Sequence, residues 1–203
     1  ALSKVGATLV VAPKVEAPET VHAVSAWLPK AAALWAMIET PRALMALSDI
    51  ATAATSKGGA LDGLMLGVND LAKALGTGPS PDREPLKPWM AATVAAARAN
   101  GLLAIDGVFN RIDDADGLAV ETAQGRLYGF DGKSMIHPSQ IAAASAAFSP
   151  SETEVAHARA VVAAFAAPEA EGMGAIRLHG VMIERLHLDE AVALLARHAA
   201  CVA

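Results

Sequence analysis

The sequence has few residues of the kinds that build disulfides, zinc sites or membrane spans. Cys201 is the only cysteine among 203 residues, which excludes an internal disulfide and a cysteine-based zinc site and suits a reducing compartment. No apolar run approaches the about 20 residues that a spanning helix needs. Charged residues make up 18% and leave a net charge of −5, without a general attraction to nucleic acid or anionic lipid. We therefore expect a soluble, cytoplasmic protein with no nucleic-acid or membrane partner.

Common nucleotide-binding and hydrolase motifs are also missing. The sequence has no Gly-x-Gly-x-x-Gly, no Walker loop and no Gly-x-Ser-x-Gly. Gly132, Lys133 and Ser134 match only the end of a phosphate-binding loop, because the earlier glycine spacing is wrong. A functional site must therefore be assembled from residues that lie far apart in the sequence.

Apolar residues, mostly alanine, are what the sequence has in abundance. They make up 54% of the chain, with a mean hydropathy of +0.37, enough for a sizeable core and too many for a disordered chain. Short apolar runs alternate with alanine-rich segments roughly every 30 residues, a pattern typical of βα units. The sequence therefore predicts an α/β fold with a parallel sheet. The predicted strands are residues 7–12, 34–38, 61–66, 102–105 and 132–136; the predicted helices are residues 17–27, 41–55, 89–100 and 114–127.

The last quarter of the chain has a different pattern. Ser151 and Glu154 form a capping-box sequence, which predicts a helix over 152–167. A linker over 168–174, a strand over 175–178 and a closing helix over 189–200 follow. We predict two parts, a barrel portion over 1–148 and a helical extension over 149–203 that acts as a lid or an intersubunit arm.

Polar side chains follow the predicted strands at the points where the strands end. Since ligands of parallel α/β proteins bind at the carboxyl ends of strands, these residues are candidates for a shared site. They are Lys14, Glu16, Glu39, Asn69, Asp70, Asp106, Lys133 and His137.

Glu39 and Asp70 form the strongest candidate pair. Two carboxylates from neighbouring strand ends suit Mg²⁺, which prefers oxygen ligands and often binds one or two carboxylates with water and substrate. The alternative is that both residues only stabilise the first turns of the helices that follow. In the same way, Asp106 could serve a turn with Gly107, and Lys14 could be a solvated loop lysine. His137 could be a loop residue, a ligand contact or a general base.

Five segments taken together resemble one enzyme family. They are PKVE (13–16), IETPRAL (38–44), LGVNDLA (66–72), AIDGV (104–108) and GFDGKSMIHPSQI (129–141). Their order and spacing resemble those of the citrate lyase β-subunit-like enzymes of the HpcH/HpaI aldolase family. These are acyl-CoA lyases that act on malyl-CoA, citramalyl-CoA or citryl-CoA.

The resemblance implies a fold and an assembly. The fold is a (β/α)8 TIM barrel of the phosphoenolpyruvate/pyruvate-domain type with a C-terminal extension, of which this chain corresponds to about strands 4 to 8. The first strands have no counterpart in the sequence. The implied assembly is a homo-oligomer, a trimer or a multiple of one.

The resemblance also implies a reaction and site residues. The reaction is the Mg²⁺-dependent carbon–carbon cleavage of a 3-hydroxyacyl-CoA thioester to acetyl-CoA, or a related acyl-CoA, and a 2-oxo acid. Glu39 and Asp70 correspond to the metal ligands. The segment Ile136, His137 and Pro138 borders the CoA pocket, with Lys14 and Asn69 as further substrate contacts.

Glu184 departs from the family pattern. It follows Met182 and Ile183, where the family has an aspartate that reaches a neighbouring subunit's site as an acid or base. A longer carboxylate can still transfer protons, although an exposed glutamate at the start of a helix is the simpler interpretation. Two other functions stay open, a thioesterase acting on malyl-CoA-like substrates and a non-catalytic CoA-binding subunit.

Overall fold

The first compact unit, residues 1–148, contains a parallel sheet. The computed structural model describes residues 6–29, 31–54, 56 and 60–202. The strands are β1 (Leu9–Ala12), β2 (Ala33–Ile38), β3 (Gly63–Leu66), β4 (Leu103–Asp106) and β5 (Gly132–Lys133). All pair in parallel and in the order of the sequence. This sequential order is that of a barrel wall, since a doubly wound sheet reverses direction at its centre.

Helices connect the strands, as the sequence predicted. They are α1 (Pro18–Ser25), α2 (Pro41–Met45), α3 (Leu47–Thr52), α4 (Val68–Leu75), α5 (Lys87–Ala99), α6 (Ala115–Leu127) and α7 (Ile141–Phe148). The single helix predicted over 41–55 is two helices, because Ala46 leaves the helical conformation with φ −100° and ψ 11°. Helices α4 and α7 were not predicted. A short 3-10 turn over Glu84–Leu86 precedes α5, and a second over Pro138–Gln140 precedes α7.

The core lies where the helices cover strands β2 and β3. Every residue of β3 is buried, whereas β2 buries alternate residues, among them Leu34 and Ile38. The helices contribute fully buried side chains such as Ile50 and Leu71. Burying one side chain of this size stabilises the fold by about 1.5–3 kcal/mol.

The fifth strand is shorter than predicted. It ends at Lys133, whereas the predicted strand continued to Ile136. The main-chain N–H of Ile136 donates to the side chain of Gln140 instead of to a strand. Pro138 then starts a 3-10 turn and has no N–H to donate.

The second compact unit, residues 149–203, contains two helices and a hairpin. Its elements are α8 (Glu152–Ala166), β6 (Ala175–Leu178), β7 (Val181–Glu184) and α9 (Arg185–Val202), with a 3-10 turn over Pro168–Ala170. The predicted capping box of Ser151 and Glu154 is present. Strand β7 was not predicted, and it pairs with β6 through a turn at His179 and Gly180, both with positive φ. The closing helix therefore begins at Arg185 and not at residue 189.

Within the described ranges, no helix is both long enough and apolar enough to cross a membrane.

Candidate metal centre

Glu39 follows β2 directly and is almost completely buried. Its exposed fraction is 4%. The main-chain N–H of Lys14, which follows β1, donates to Glu39 Oε1 at 2.7 Å, while the residue itself is exposed. Lys14 thus contacts the site through its backbone N–H, which holds one oxygen of Glu39 in place, and its predicted contact with the substrate stays a prediction.

Asp70 lies in the first turn of α4, next to the end of β2. Gly67 makes this approach possible, because a Cβ atom there would lie 2.4 Å from Glu39 Cβ and 2.9 Å from Glu39 Oε2. The main-chain N–H of Gly67 also donates to the carbonyl of Ile38 at 2.9 Å. The ends of β2 and β3 are so close at this point that only glycine fits between them.

The carboxyl group of Asp70 affects that of Glu39. Burial raises the pKa of Glu39 above its usual value of 4.5, the N–H of Lys14 opposes this rise, and the charge and hydrogen bonding of Asp70 add to it. The pair is therefore close enough to repel when both groups are ionised. Such an arrangement of oxygen atoms fits a divalent cation, which would remove the repulsion.

Both carboxylates line one cavity at the carboxyl edge of the sheet. Its volume is about 110 Å³, and Asn69, Val108 and Ser134 also line it. We call it the metal cavity. Among the described residues, no group of three or more His, Cys, Asp or Glu side chains could hold a metal ion. The remaining ligands of Mg²⁺ at this pair would be water and substrate, as Mg²⁺ prefers.

Helix capping does not explain Glu39. The N-cap of α2 is Thr40, whose Oγ1 accepts from the N–H of Ala43 at 3.1 Å. Asp70 lies in the first turn of α4, but the N-cap of that helix is Gly67, which makes no side-chain cap bond. The capping alternative is therefore wrong for Glu39, and for Asp70 it is limited to an interaction with the helix dipole.

Asn69, which lines the metal cavity, is held by the side-chain amide of Asn110. Its Nδ2 donates to Asn110 Oδ1 at 3.1 Å, and Asn110 Nδ2 donates to Asn69 Oδ1 at 2.6 Å. The reciprocal pair joins the segments that follow β3 and β4. Sequence reasoning identified Asn69 and missed Asn110, whose position beside Asn69 depends on the pairing of the two strands.

The segment with Ile136, His137 and Pro138 forms the loop after β5. The Nδ1 atom of His137 accepts from the N–H of Ser139 at 3.2 Å and lies 2.8 Å from the Ser139 hydroxyl. His137 therefore caps the 3-10 turn, and it is exposed. These residues do not line the metal cavity, so their predicted contact with CoA stays a prediction.

Gln140 joins this loop to the preceding one and was not identified from the sequence. Its side chain is buried, its Oε1 accepts from the N–H of Ile136 at 3.1 Å, and its Nε2 donates to the carbonyl of Phe109 at 2.9 Å. Both the oxygen and the nitrogen of the amide are thus hydrogen-bonded. Gln140 fixes the loop after β5 against the loop after β4.

Asp106, at the end of β4, is at the centre of a buried group of charges. One oxygen accepts from Arg83 Nη1 at 2.7 Å and from the N–H of Gly107 at 2.8 Å. The other oxygen accepts from Lys133 Nζ at 3.1 Å. The strand-end positions of Asp106 and Lys133 were recognised in the sequence, but these two side chains bind each other and do not line the metal cavity.

Helix α6 supplies the rest of this charge cluster, which we define as Arg83, Asp106, Glu121 and Lys133. Lys133 Nζ donates to Glu121 Oε1 at 2.7 Å, and Arg83 Nε donates to Gln124 Oε1 at 2.8 Å. A Cβ atom on Gly125 would lie 2.7 Å from Asp106 Oδ2, so glycine is needed there. Glu121, Gln124 and Gly125 share one face of α6, and their spacing of three and four residues is the signal in the sequence that could have identified them.

Glu184 lies in the second unit at the end of β7. It is half-buried, and its main-chain N–H donates to His187 Nδ1 at 2.9 Å. The predicted contribution of Glu184 to a neighbouring subunit stays a prediction.

Comparisons with known proteins identify the family of this chain. The family model described as HpcH/HpaI aldolase/citrate lyase matches residues 1–138. The (3S)-malyl-CoA thioesterase of Cereibacter sphaeroides is 39% identical over 203 residues, which are 100% of this chain and 69% of that protein. Citrate lyase subunit beta of Escherichia coli is 35% identical over 169 residues, which are 83% of this chain and 55% of that protein.

A solved structure supports the same assignment. The crystal structure of CitE from Mycobacterium tuberculosis, in complex with magnesium, acetoacetate and coenzyme A, matches with a TM-score of 0.76. The two chains are 30% identical, and the match covers 95% of this chain and 68% of that one. The parallel α/β fold of TIM-barrel type is thus confirmed. The chain belongs to the HpcH/HpaI aldolase/citrate lyase family, as the motifs predicted.

Proposed function

We propose that this chain is part of a Mg²⁺-dependent lyase. It would cleave the carbon–carbon bond of a 3-hydroxyacyl-CoA thioester of the citryl-, malyl- or citramalyl-CoA type. The products would be acetyl-CoA, or a related acyl-CoA, and a 2-oxo acid. The observation that carries the proposal is the interacting pair of Glu39 and Asp70 in one cavity at the carboxyl edge of the sheet.

Glu39 and Asp70 would hold the metal. Bound Mg²⁺ supplies a fixed positive charge that stabilises negative charge on oxygen while the carbon–carbon bond breaks. The N–H of Lys14 keeps Glu39 in one orientation, and Asn110 does the same for Asn69 at the edge of the cavity. Because Glu39 is buried, charges at this site are screened less than charges in water.

The reaction also moves a proton. A base must take the proton of the 3-hydroxyl group, and the carbon of the departing acyl-CoA must receive a proton. We propose Glu184, supplied by a neighbouring copy in a homo-oligomer, for this transfer. Lys14, Asn69 and the Ile136–Pro138 segment are proposed as the contacts that position the CoA thioester.

Thioester hydrolysis at the same site is the second candidate function. It is favoured by the 39% identity to a (3S)-malyl-CoA thioesterase over the whole of this chain. Hydrolysis of (3S)-malyl-CoA releases free CoA and malate, whereas carbon–carbon cleavage releases acetyl-CoA and glyoxylate. The products therefore distinguish the two reactions.

The experiment incubates the purified protein with (3S)-malyl-CoA, with and without MgCl₂, and identifies the products by mass spectrometry. We expect Mg²⁺-dependent acetyl-CoA and glyoxylate, and loss of both in Glu39→Ala and Asp70→Ala. Asp49→Ala is the control, because it removes an exposed carboxylate from α3. Full activity in Glu39→Ala or Asp70→Ala would contradict the metal assignment. If free CoA and malate are the only products, the activity is that of a thioesterase and not of a lyase. Binding of Mg²⁺ and CoA without turnover would indicate a non-catalytic subunit.

A further inference from the structure

A second cavity lies beside the metal cavity in the first unit. Its volume is about 170 Å³, and we call it the side cavity. Val68, Asn69 and Val108 line both cavities, so the two are neighbours and share the residues that separate them. A substrate that binds at Glu39 and Asp70 therefore has this space next to it.

One wall of the side cavity is the 77–86 segment between α4 and α5. It includes three prolines and has no regular structure before the 3-10 turn at Glu84. A segment of this kind needs side-chain contacts to hold it in one place. The carbonyl of Asp82 accepts from Gln124 Nε2 at 2.6 Å, which is one such contact with α6.

Arg83 makes the stronger attachment. Its φ of 55° lies in the left-handed region that is costly for residues other than glycine. Its side chain is buried and reaches Asp106 at the end of β4, while its Nη2 donates to the carbonyl of Glu121 at 3.3 Å. One residue of the wall is thus bonded to both the sheet edge and α6.

The charge cluster is a poor choice if stability alone is needed. Removing two charged groups from water costs several kcal/mol, and apolar residues of the same volume often stabilise a core equally well. Charged groups do add geometric specificity, because each hydrogen bond of Arg83 holds one donor against one particular acceptor. The two positive and two negative charges of the cluster also balance.

We propose that Arg83 is a positioning residue that holds the 77–86 segment as the wall against which the bound thioester packs. The kinetic part of this inference rests on the proposed function. The structural part does not, because the position of the wall can be measured without substrate.

The experiment separates positioning from charge balance. Arg83→Met leaves the charge cluster with two carboxylates and one cation, Lys133, so the variant should be less stable. The double variant Arg83→Met, Glu121→Gln restores neutrality and should recover most of the lost melting temperature. Glu121→Gln alone is the matched control, since it leaves the hydrogen bonds of Arg83 to Asp106, to Gln124 and to the carbonyl of residue 121 in place.

Hydrogen exchange and steady-state kinetics with (3S)-malyl-CoA are the readouts. In both variants that lack Arg83, we expect faster exchange over 77–86 and a KM raised roughly tenfold with a nearly unchanged kcat. Arg83→Lys should restore part of the KM, because lysine can still reach one acceptor but cannot bond to Asp106, Gln124 and the Glu121 carbonyl at once.

A neutral double variant with wild-type exchange over 77–86 and a wild-type KM would overturn the proposal. The charge cluster would then serve stability alone. If the wild-type protein does not turn over (3S)-malyl-CoA, the proposed function is wrong for this substrate, and hydrogen exchange alone decides the role of Arg83.

Discussion

Replacing Gly67 with alanine should damage the fold and the candidate metal centre together. The added Cβ would lie 2.4 Å from Glu39 Cβ and 3.2 Å from Met37 Cγ. The nearest of these atoms is attached directly to the backbone after β2 and cannot rotate away. Because the φ of Gly67 is −90°, the cost comes from crowding and not from a left-handed backbone.

The expected cost is that of an overpacked core, about 1–3 kcal/mol. For a chain of this size, each kcal/mol lowers the melting temperature by about 2–4 °C. The shift of Glu39 that relieves the contact should also weaken Mg²⁺ binding, by roughly tenfold or more, as changes next to metal ligands do. The two effects have one cause, so they should occur together.

Thermal melting in EDTA and calorimetric titration with MgCl₂ measure the two effects. Gly174→Ala is the control, because a Cβ there would meet nothing within 4 Å, and it should melt within about 0.5 kcal/mol of the wild type. If Gly67→Ala melts like this control and binds Mg²⁺ like the wild type, the close approach of the two strand ends does not define the site.

Two further predictions concern Glu39 and Gln140. In the metal-free protein, the raised pKa of Glu39 means that protonation of this carboxyl group stabilises the fold at pH values below its usual pKa of 4.5. This stabilisation is lost as the pH rises through the raised pKa. The melting temperature of Glu39→Gln in EDTA should therefore increasingly exceed that of the wild type as the pH rises above the usual pKa of 4.5, until Glu39 is fully ionised. A difference that does not change with pH would contradict this. Gln140→Met should lower the free energy of unfolding by about 1–3 kcal/mol, because the buried Phe109 carbonyl is left unpaired. The loss of the acceptor for the more exposed Ile136 N–H should cost less. Urea denaturation measures this loss, Gln140→Glu is the variant that keeps the acceptor alone, and equal stability of all three proteins would refute the role of Gln140.

Local patterns in the sequence were sufficient to predict most of the sheet. Most predicted strands were apolar runs bounded by residues that end strands, and the strand-to-strand period indicated parallel connections. The hairpin strand β7 was missed because its sequence does not alternate between apolar and polar residues. Val181 and Met182 are both apolar, and both are exposed. Its pairing with β6 depends on the turn at His179 and Gly180, and a positive φ at a histidine is not visible in a sequence.

The sequence by itself determined which carboxylates could form the candidate site. Glu39 and Asp70 each follow a buried strand, and parallel strands present their carboxyl ends at one edge. Only the tertiary structure decided how residues group there, because distances between side chains depend on the pairing of strands and on the packing of α6. It separated Asp106 and Lys133 from the metal cavity, brought Arg83 and Glu121 to them, and placed Gln140 between two loops. Hydrogen bonds between distant segments follow no short-range pattern, so no inspection of neighbouring residues identifies them.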